Sequence, residues 1–341
     1  MKILLIGGTG TISMAITNQL AKTRHQLTLL NRGKSTKEIP ENVEQIHGNI
    51  HDEVAIAKLL HGRKFDVVAN FIAFGLEDVQ RDYRLFKDIT NQYVFISSAS
   101  AYQKPSVNPV ITESTPLVNP HWEYSRNKIA CEEWLLERFR QDHFPITIVR
   151  PSHTYSEHSV PVGVKGDGGS WALMERMLAG KPVIIHGDGS SLWTMTYNSD
   201  FAKGFIGLLG NVHAIGQAVH ITSDESLSWL QIHEIIARKL GVKLNPYFIA
   251  SDYLISAGKK YGYDFEGPLT GDKAVTVIFD NSKLKKLVPD FVATKRFDIG
   301  VSETIDHILA NPELQIGYEK YDQFCDEIIA ALEEAKMKFL G

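Results

Sequence analysis

Cysteine is nearly absent: Cys131 and Cys325 are the two in 341 residues. Two distant cysteines build neither a disulfide framework nor a cysteine-rich zinc site, and their scarcity suits a reducing compartment. No apolar run approaches the ~20 residues that a membrane-spanning helix needs. The opening Met1-Lys2-Ile3-Leu4-Leu5-Ile6 runs into glycines too soon for a signal-peptide core and has no cleavage site behind it, so the expected location is cytoplasmic. An excess of one charge is missing as well. Lys and Arg number 36 against 40 Asp and Glu, a formal net charge of −4, and the chain carries no block of like charges, no internal repeat and no low-complexity tract. That balance argues against a general nucleic-acid binder. Lys283-Leu284-Lys285-Lys286 reads as a solvated helix face. What is there, 43% hydrophobic and 22% charged residues, is ordinary globular composition. The length fits two domains, or one large α/β unit with a smaller lobe, and allows a sizeable core.

Strand and helix alternate through residues 1–150. Ile3–Ile6, Leu27–Leu30, Val43–His47, Phe65–Asn70, Tyr93–Ser97 and Ile146–Val149 read as strands. Thr11–Thr23, Val54–Leu60, Leu76–Ile89 and Trp122–Arg140 read as helices. Short continuous apolar runs such as Ile3–Ile6 suit strands buried on both faces of a parallel sheet. The alternation implies right-handed crossovers and a Rossmann-type, doubly wound α/β sheet. Beyond Arg150-Pro151 glycine becomes frequent, at Gly163, Gly166, Gly168, Gly169, Gly180, Gly187 and Gly189, and Ser228–Leu240 and Asp252–Tyr261 read as helices. The expected organisation is a dinucleotide-binding domain over 1–150 and a substrate-binding lobe over 151–341. The boundary is soft, because some later segments are expected to return to the main sheet.

Gly7-Gly8-Thr9-Gly10-Thr11-Ile12-Ser13 joins the first strand to the first helix. Glycines there permit a tight turn and let backbone N–H groups approach a pyrophosphate at the helix N-terminus. An ordinary β–α turn uses glycine too; the position behind a buried strand and before an amphipathic helix is what a dinucleotide fingerprint requires. Ser13 holds the third small position. The second strand ends Asn31-Arg32-Gly33-Lys34-Ser35. It lacks the carboxylate that binds a ribose 2′-hydroxyl in NAD enzymes, whereas Arg32, with Lys34 or Ser35, suits a 2′-phosphate. NADP is therefore favoured over NAD.

Tyr124-Ser125-Arg126-Asn127-Lys128 places a phenol and an ammonium on one face of a helix. A nearby cation favours the phenolate and makes Tyr124 a usable general acid/base near neutral pH. Tyr-x-x-x-Lys alone is common in surface helices. A third element accompanies it: Tyr93-Val94-Phe95-Ile96-Ser97-Ser98 is a strand ending in hydroxyls, at the edge where open α/β sheets place ligands. Ser98 there either bonds a substrate oxygen or caps a turn.

Glycine loop, strand-end serine and Tyr-x-x-x-Lys in that order resemble the extended short-chain dehydrogenase/reductase superfamily, in its NAD-dependent epimerase/dehydratase branch. Arg150-Pro151, Gly187-Asp188-Gly189, Tyr197-Asn198-Ser199-Asp200-Phe201-Ala202 and Asp280-Asn281-Ser282-Lys283 carry the likeness over most of the chain. The resemblance implies a catalytic triad of Ser98, Tyr124 and Lys128, with Lys128 also on the nicotinamide ribose. It implies a cofactor, NADP or NAD, held by Gly7, Thr9, Gly10, Thr11, Ile12, Asn31, Arg32, Asn49, Ile50, Asn70 and Ala73 together with Tyr124 and Lys128. Asn49-Ile50 occupies the place of the family's acidic-hydrophobic pair at the adenine. The expected chemistry is hydride transfer at a secondary alcohol or ketone of a sugar, sugar nucleotide or similar polyol, epimerisation being the same half-reaction run out and back.

The chain also departs from that pattern. Ser98-Ala99-Ser100 stands where family dehydratases carry Thr-Asp-Glu, and loss of water needs a separate acid and base, so dehydration is disfavoured. Trp193 and Leu269 stand where sugar-nucleotide epimerases hold the diphosphate with arginines, and His153 replaces an asparagine. Lys165, Lys181 and Lys273 are candidates to compensate. His153 and Trp193 become substrate candidates beside Ser98, against the plainer readings of a structural histidine and core packing. No metal site is expected: His47 and His51 are separated by a strand end and a turn, and His153 and His158 lack a third ligand. No Gly-x-Ser-x-Gly elbow supports a hydrolase. The alternative is a non-catalytic nucleotide- or RNA-binding protein, since Ser223-Asp224-Glu225, Gly271-Asp272-Lys273 and Asn31-Arg32-Gly33 also resemble a subgroup with plastid RNA-binding proteins. Relatives often pair through the tyrosine helix, which makes a homodimer the default, with Ile129, Trp134 and Leu135 at that contact or in the core.

Overall fold

The computed structural model describes residues 1–167 and 169–341; Gly168 of the glycine-rich stretch lies outside them. A parallel sheet of seven strands occupies the centre. In chain order its strands are β1 (Lys2–Ile6), β2 (Gln26–Asn31), β3 (Glu44–His47), β4 (Val67–Asn70), β5 (Tyr93–Ile96), β6 (Ile146–Pro151) and β7 (Gln217–Ile221). Across the sheet they run β7-β6-β5-β4-β1-β2-β3. The chain starts at β1, steps out to β3, returns to β4 on the other side of β1 and steps out again. The reversal between β1 and β4 parts the connections leaving their carboxyl ends and opens a crevice, which is where such sheets bind ligands.

Period-two alternation explains the continuous apolar runs. Ile3 and Leu5 join Leu27, Leu29 and Val67 on one face, while Leu4 and Ile6 join Leu30, Val68, Phe95 and Ile148 on the other. Both faces are covered, so no polar face is left along these strands. The covering helices are α1 (Ser13–Leu20), α2 (Glu53–Leu59), α3 (Leu76–Phe86) and α4 (Glu123–Asp142). Helix α1 starts two residues later than its periodicity suggests because Thr11 and Ile12 belong to the glycine loop. Strand β4 starts at Val67, with Phe65 reduced to an isolated bridge to Thr90.

The sheet does not end at residue 151. Strand β7 pairs in parallel with β6 from Gln217–Thr147 to Ile221–Pro151. After α5 (Trp171–Leu178), helix α6 (Asn198–Leu208) packs on α1 and sends Phe201, Phe205 and Leu208 into the same cluster as Ile3 and Leu5. The remaining segments bury a separate cluster around Leu173, Trp229, Ile232, Val301 and Ile305. Leu135, a candidate for a dimer contact, is instead fully buried among the sheet-facing residues of α4, while Trp134 packs edge-on against Tyr83 and Ile129 stays half-buried. Among the described residues no helix is long and apolar enough to cross a membrane.

Candidate functional site

Gly7 ends β1 with φ of +79°, and a Cβ on it would lie 2.7 Å from Ile72. A Cβ on Gly8 would lie 2.6 Å from Leu29. The loop is therefore pressed flat between β2 and the segment leaving β4, an approach only glycine allows. Ser13 closes it: buried, its hydroxyl donates to the Gly7 carbonyl at 2.7 Å and accepts from the Gly10 N–H at 2.9 Å. Sequence reading credited Ser13 only with small size. Gly7, Thr9 and Gly10 line a cleft of about 450 Å³ whose other wall holds Asn31, Arg32, Lys34, Ser35, Asn49 and Ile50. The Asn31 carboxamide oxygen accepts from the Gly33 N–H at 2.9 Å and so shapes the turn that presents Arg32. Arg32 and Lys34 are exposed, and among the described residues neither forms an ion pair.

Six of the implied cofactor residues, Thr11, Ile12, Asn70, Ala73, Tyr124 and Lys128, do not line that cleft. Thr11 is exposed, and its carbonyl accepts from the Asn198 side chain at 3.1 Å. Ile12 lines a second cavity instead. Asn70 is fully buried: it donates to Asp82 at 2.5 Å and accepts from the Ile72 N–H at 2.8 Å. With both ends of its amide engaged, it shapes the loop after β4. Ala73, 1% exposed, presents its carbonyl to Lys128.

Tyr124 and Lys128 lie one turn apart on α4. The Lys128 ammonium donates to the carbonyls of Ala73 and Ile96, both at 2.7 Å. It sits 4.8 Å and 4.9 Å from the ring centres of Phe74 and Phe95 and 5.7 Å from that of Tyr124. Burial pulls its pKa down to about 8. Burial raises the Tyr124 phenol above its ordinary value; the Ser98 hydroxyl works the other way, and the Asp272 charge raises it further. The anticipated lowering of Tyr124 by Lys128 is thus not seen. Two of the three ammonium N–H groups point to backbone carbonyls rather than to the phenol, and burial sets the direction of the phenol's shift.

Ser98 caps a turn and also faces a cavity. Its side chain caps the turn Ala99–Ala101, accepting from the Ser100 N–H at 3.2 Å and lying 2.8 Å from the Ser100 hydroxyl, and it lines the cavity that Tyr124 faces. Ser125 donates to Ser100 at 2.8 Å, which ties this turn to α4. Glu132 completes the row begun by Tyr124 and Lys128. Fully buried, it accepts from the Ser97 hydroxyl and from Arg150 at 2.5 and 3.0 Å. Its spacing, one further turn of four along a buried face, was the signal by which it could have been found.

The second cavity, of about 310 Å³, is lined by Ser98, Ser100 and Tyr124 together with Ile12, Trp122, His153, Trp193, Asp272 and Lys273. Burial, and the charges of Lys273 and Lys165, hold the His153 imidazole well below its usual range, so it is neutral at pH 7. Trp193 is 2% exposed, stacks at 6.4 Å on Trp229, and has a buried indole N–H with no partner. It is core packing and cavity wall at once. Asp272 and Lys273 arrive on the single π-helical turn Leu269–Lys273. The Asn119 side chain donates at 2.7 Å both to the Ser100 carbonyl and to that of Gly271, clamping this turn onto the serine turn. Lys181 drops out of the set of compensating cations, because Asp322 and Asp326 hold it at 2.7 and 3.0 Å elsewhere. Leu269 is buried in a different cluster.

A family model described as "NAD dependent epimerase/dehydratase family" matches residues 3–221. The chain is similar to the 2′-dehydrokanamycin reductase of Streptomyces kanamyceticus, 25% identical over 291 residues, 85% of this chain and 80% of that protein. It is also similar to the chloroplast stem-loop binding protein of 41 kDa b of Arabidopsis thaliana, 27% identical over 242 residues, 67% of this chain and 60% of that protein. Among solved structures, UDP-glucuronic acid 4-epimerase from Bacillus cereus, in complex with UDP-glucuronic acid and NAD, matches with a TM-score of 0.71 at 20% identity. That match covers 91% of this chain and 99% of that one, a likeness that establishes the fold.

Proposed function

The chain belongs to the NAD dependent epimerase/dehydratase family, and on that premise we propose that it is an NADP-preferring enzyme acting at a secondary alcohol or ketone of a sugar, sugar nucleotide or similar polyol. One observation carries the reading. Ser98 and Tyr124 line one cavity, Lys128 lies against the Tyr124 ring, and the glycine-loop cleft opens from the same carboxyl edge of the sheet. The residues present fit a dinucleotide phosphate: a flat glycine wall for the pyrophosphate, and Arg32 and Lys34 without partners for a 2′-phosphate. A bound nicotinamide supplies the place from which, or to which, a hydride moves. Tyr124 gives its proton to the ketone oxygen or takes one from the alcohol. Ser98 holds that oxygen by a hydrogen bond. Lys128 keeps one N–H free for a ribose hydroxyl and fixes the loop at Ala73 to the end of β5.

Net reduction or oxidation and epimerisation are outcomes of this one half-reaction. Dehydration is disfavoured: among the described residues lining the cavity the one carboxylate is Asp272, already paired with Lys273 at 3.1 Å, and a separate acid and base are lacking. The test is a titration of purified protein with NADPH and NADH, with mass spectrometry of any nucleotide that co-purifies. Nucleotide retained through purification indicates an internal redox cycle, as in an epimerase; exchangeable NADPH indicates a reductase or dehydrogenase. Absence of binding by either overturns the reading. The likeness to the stem-loop binding protein keeps a non-catalytic RNA-binding role as the second reading, and an RNA affinity that falls steeply with salt would favour it.

A further inference from the structure

The cavity beside Tyr124 carries more positive charge than its pairing accounts for. Lys273 lines it, held 3.1 Å from Asp272. The Lys273 carbonyl accepts from the Trp229 indole at 3.0 Å, from His186 at 3.2 Å and from Ser191 at 3.3 Å, so the residue is fixed in place. Lys104 is 3% exposed and its ammonium lies over the Trp193 ring, 5.2 Å from its centre. Among the described residues that ammonium has neither an ion pair nor a hydrogen bond, and the fields of Asp272 and Lys273 reach it. Lys165 is exposed, and its charge reaches His153 from outside the cavity lining. Two buried lysines, Lys273 and Lys104, thus share one carboxylate.

A buried ammonium without an acceptor is costly, and native structures tolerate one chiefly where a ligand or ion completes it. We propose that the cavity holds an oxyanion of the substrate, a carboxylate or a phosphate monoester, on Lys273, with Lys104 supporting its charge. The substrate is then a small acidic sugar or sugar phosphate. This rests on reading the cavity as the substrate site. The same charges repel a polyamine such as an aminoglycoside.

The experiment is isothermal titration of the full chain, with and without saturating NADPH, using inorganic phosphate, pyrophosphate, UDP and kanamycin as probes. Phosphate and pyrophosphate are expected to bind, to lose about ten- to a hundredfold in affinity in Lys273→Met, and to lose affinity in Lys104→Met, a change that keeps the apolar stem. Circular dichroism checks that both variants fold. Binding is expected to survive saturation with NADPH, which fills the glycine-loop cleft, and Arg32→Ser, which removes that cleft's 2′-phosphate contact. No anion binding, binding untouched by Lys273→Met, or binding abolished by Arg32→Ser overturns the proposal. So does UDP binding more than about tenfold tighter than pyrophosphate, since recognition would then include the nucleoside, and so does kanamycin binding as tightly as phosphate. Failure of the enzymatic reading is separate: it would appear as no NADPH heat and no Tyr124-dependent turnover, while the anion titration without NADPH stays interpretable.

Discussion

Two clefts at the carboxyl edge of the same sheet are built in opposite ways. The glycine-loop cleft is walled by backbone and by exposed side chains from the ends of β1 to β4, between Ile6 and Asp78. The Tyr124 cavity is walled by side chains from scattered segments between Ile12 and Lys273, several of them buried on their outer sides. A cleft lined by backbone depends on close approach, which glycine provides, and on a few polar tips. A cavity lined by packed side chains depends on desolvation, which sets the protonation of Tyr124, Lys128 and His153. Single substitutions in one should leave the other intact.

The sharpest separation comes from Tyr124→Phe. It removes the proton donor while keeping the ring, and turnover is expected to fall by about 10²–10⁴-fold with NADPH affinity nearly unchanged in a fluorescence titration. Weakened NADPH binding of the same size would mean that the two clefts act as one. Arg32→Ser is the converse. Loss of charge-assisted bonds worth ~1.5–3 kcal/mol should weaken NADPH and spare NADH; equal losses for both would remove the argument for a 2′-phosphate. Ser13→Ala tests the loop itself. It deletes a donor to Gly7 and an acceptor from Gly10, and about 1–2 kcal/mol of stability is expected to go with them in urea unfolding, the cavity chemistry surviving in the folded fraction.

The last effect is a slope. Burial pushes His186 and His233, in the part of the chain outside the sheet, down to about 4. Unfolded histidine titrates near ~6.5. Between those values the unfolded chain binds more protons than the folded one, so stability declines as pH falls through that window and the decline ends once both forms are protonated. His233→Gln should flatten the decline in pH-dependent denaturation curves; an unchanged slope would place its origin elsewhere.

The glycine-loop cleft was the more legible of the two. Gly7, Thr9, Gly10, Asn31, Arg32, Asn49 and Ile50 were picked out by position along alternating strands and helices, and they share one cleft. Asn70 and Ala73 were expected beside it, and their buried contacts shape the loop after β4. In the cavity, Ser98, Tyr124, His153 and Trp193 were anticipated, whereas Trp122, the cavity role of Asp272, and Lys104 over the Trp193 ring were not. Nothing local distinguishes Lys273, at the cavity, from Lys181, bound to Asp322 and Asp326. Their separation is made by contacts more than a hundred residues apart in the chain.

What the sequence determined by itself is whatever short-range geometry dictates. Alternation of period two makes strands buried on both faces, spacing of four puts Tyr124, Lys128 and Glu132 in one row, and a glycine run makes a turn that lies flat. Tertiary structure decided the rest. It brought β7 and α6 back to the sheet, delivered Asp272 and Lys273 to the serine turn through Asn119, and aimed Lys128 at two carbonyls instead of the phenol. The reason is physical. Backbone periodicity is a property of a residue and its near neighbours, while the proton affinity and pairing of a buried group depend on everything that has displaced water around it.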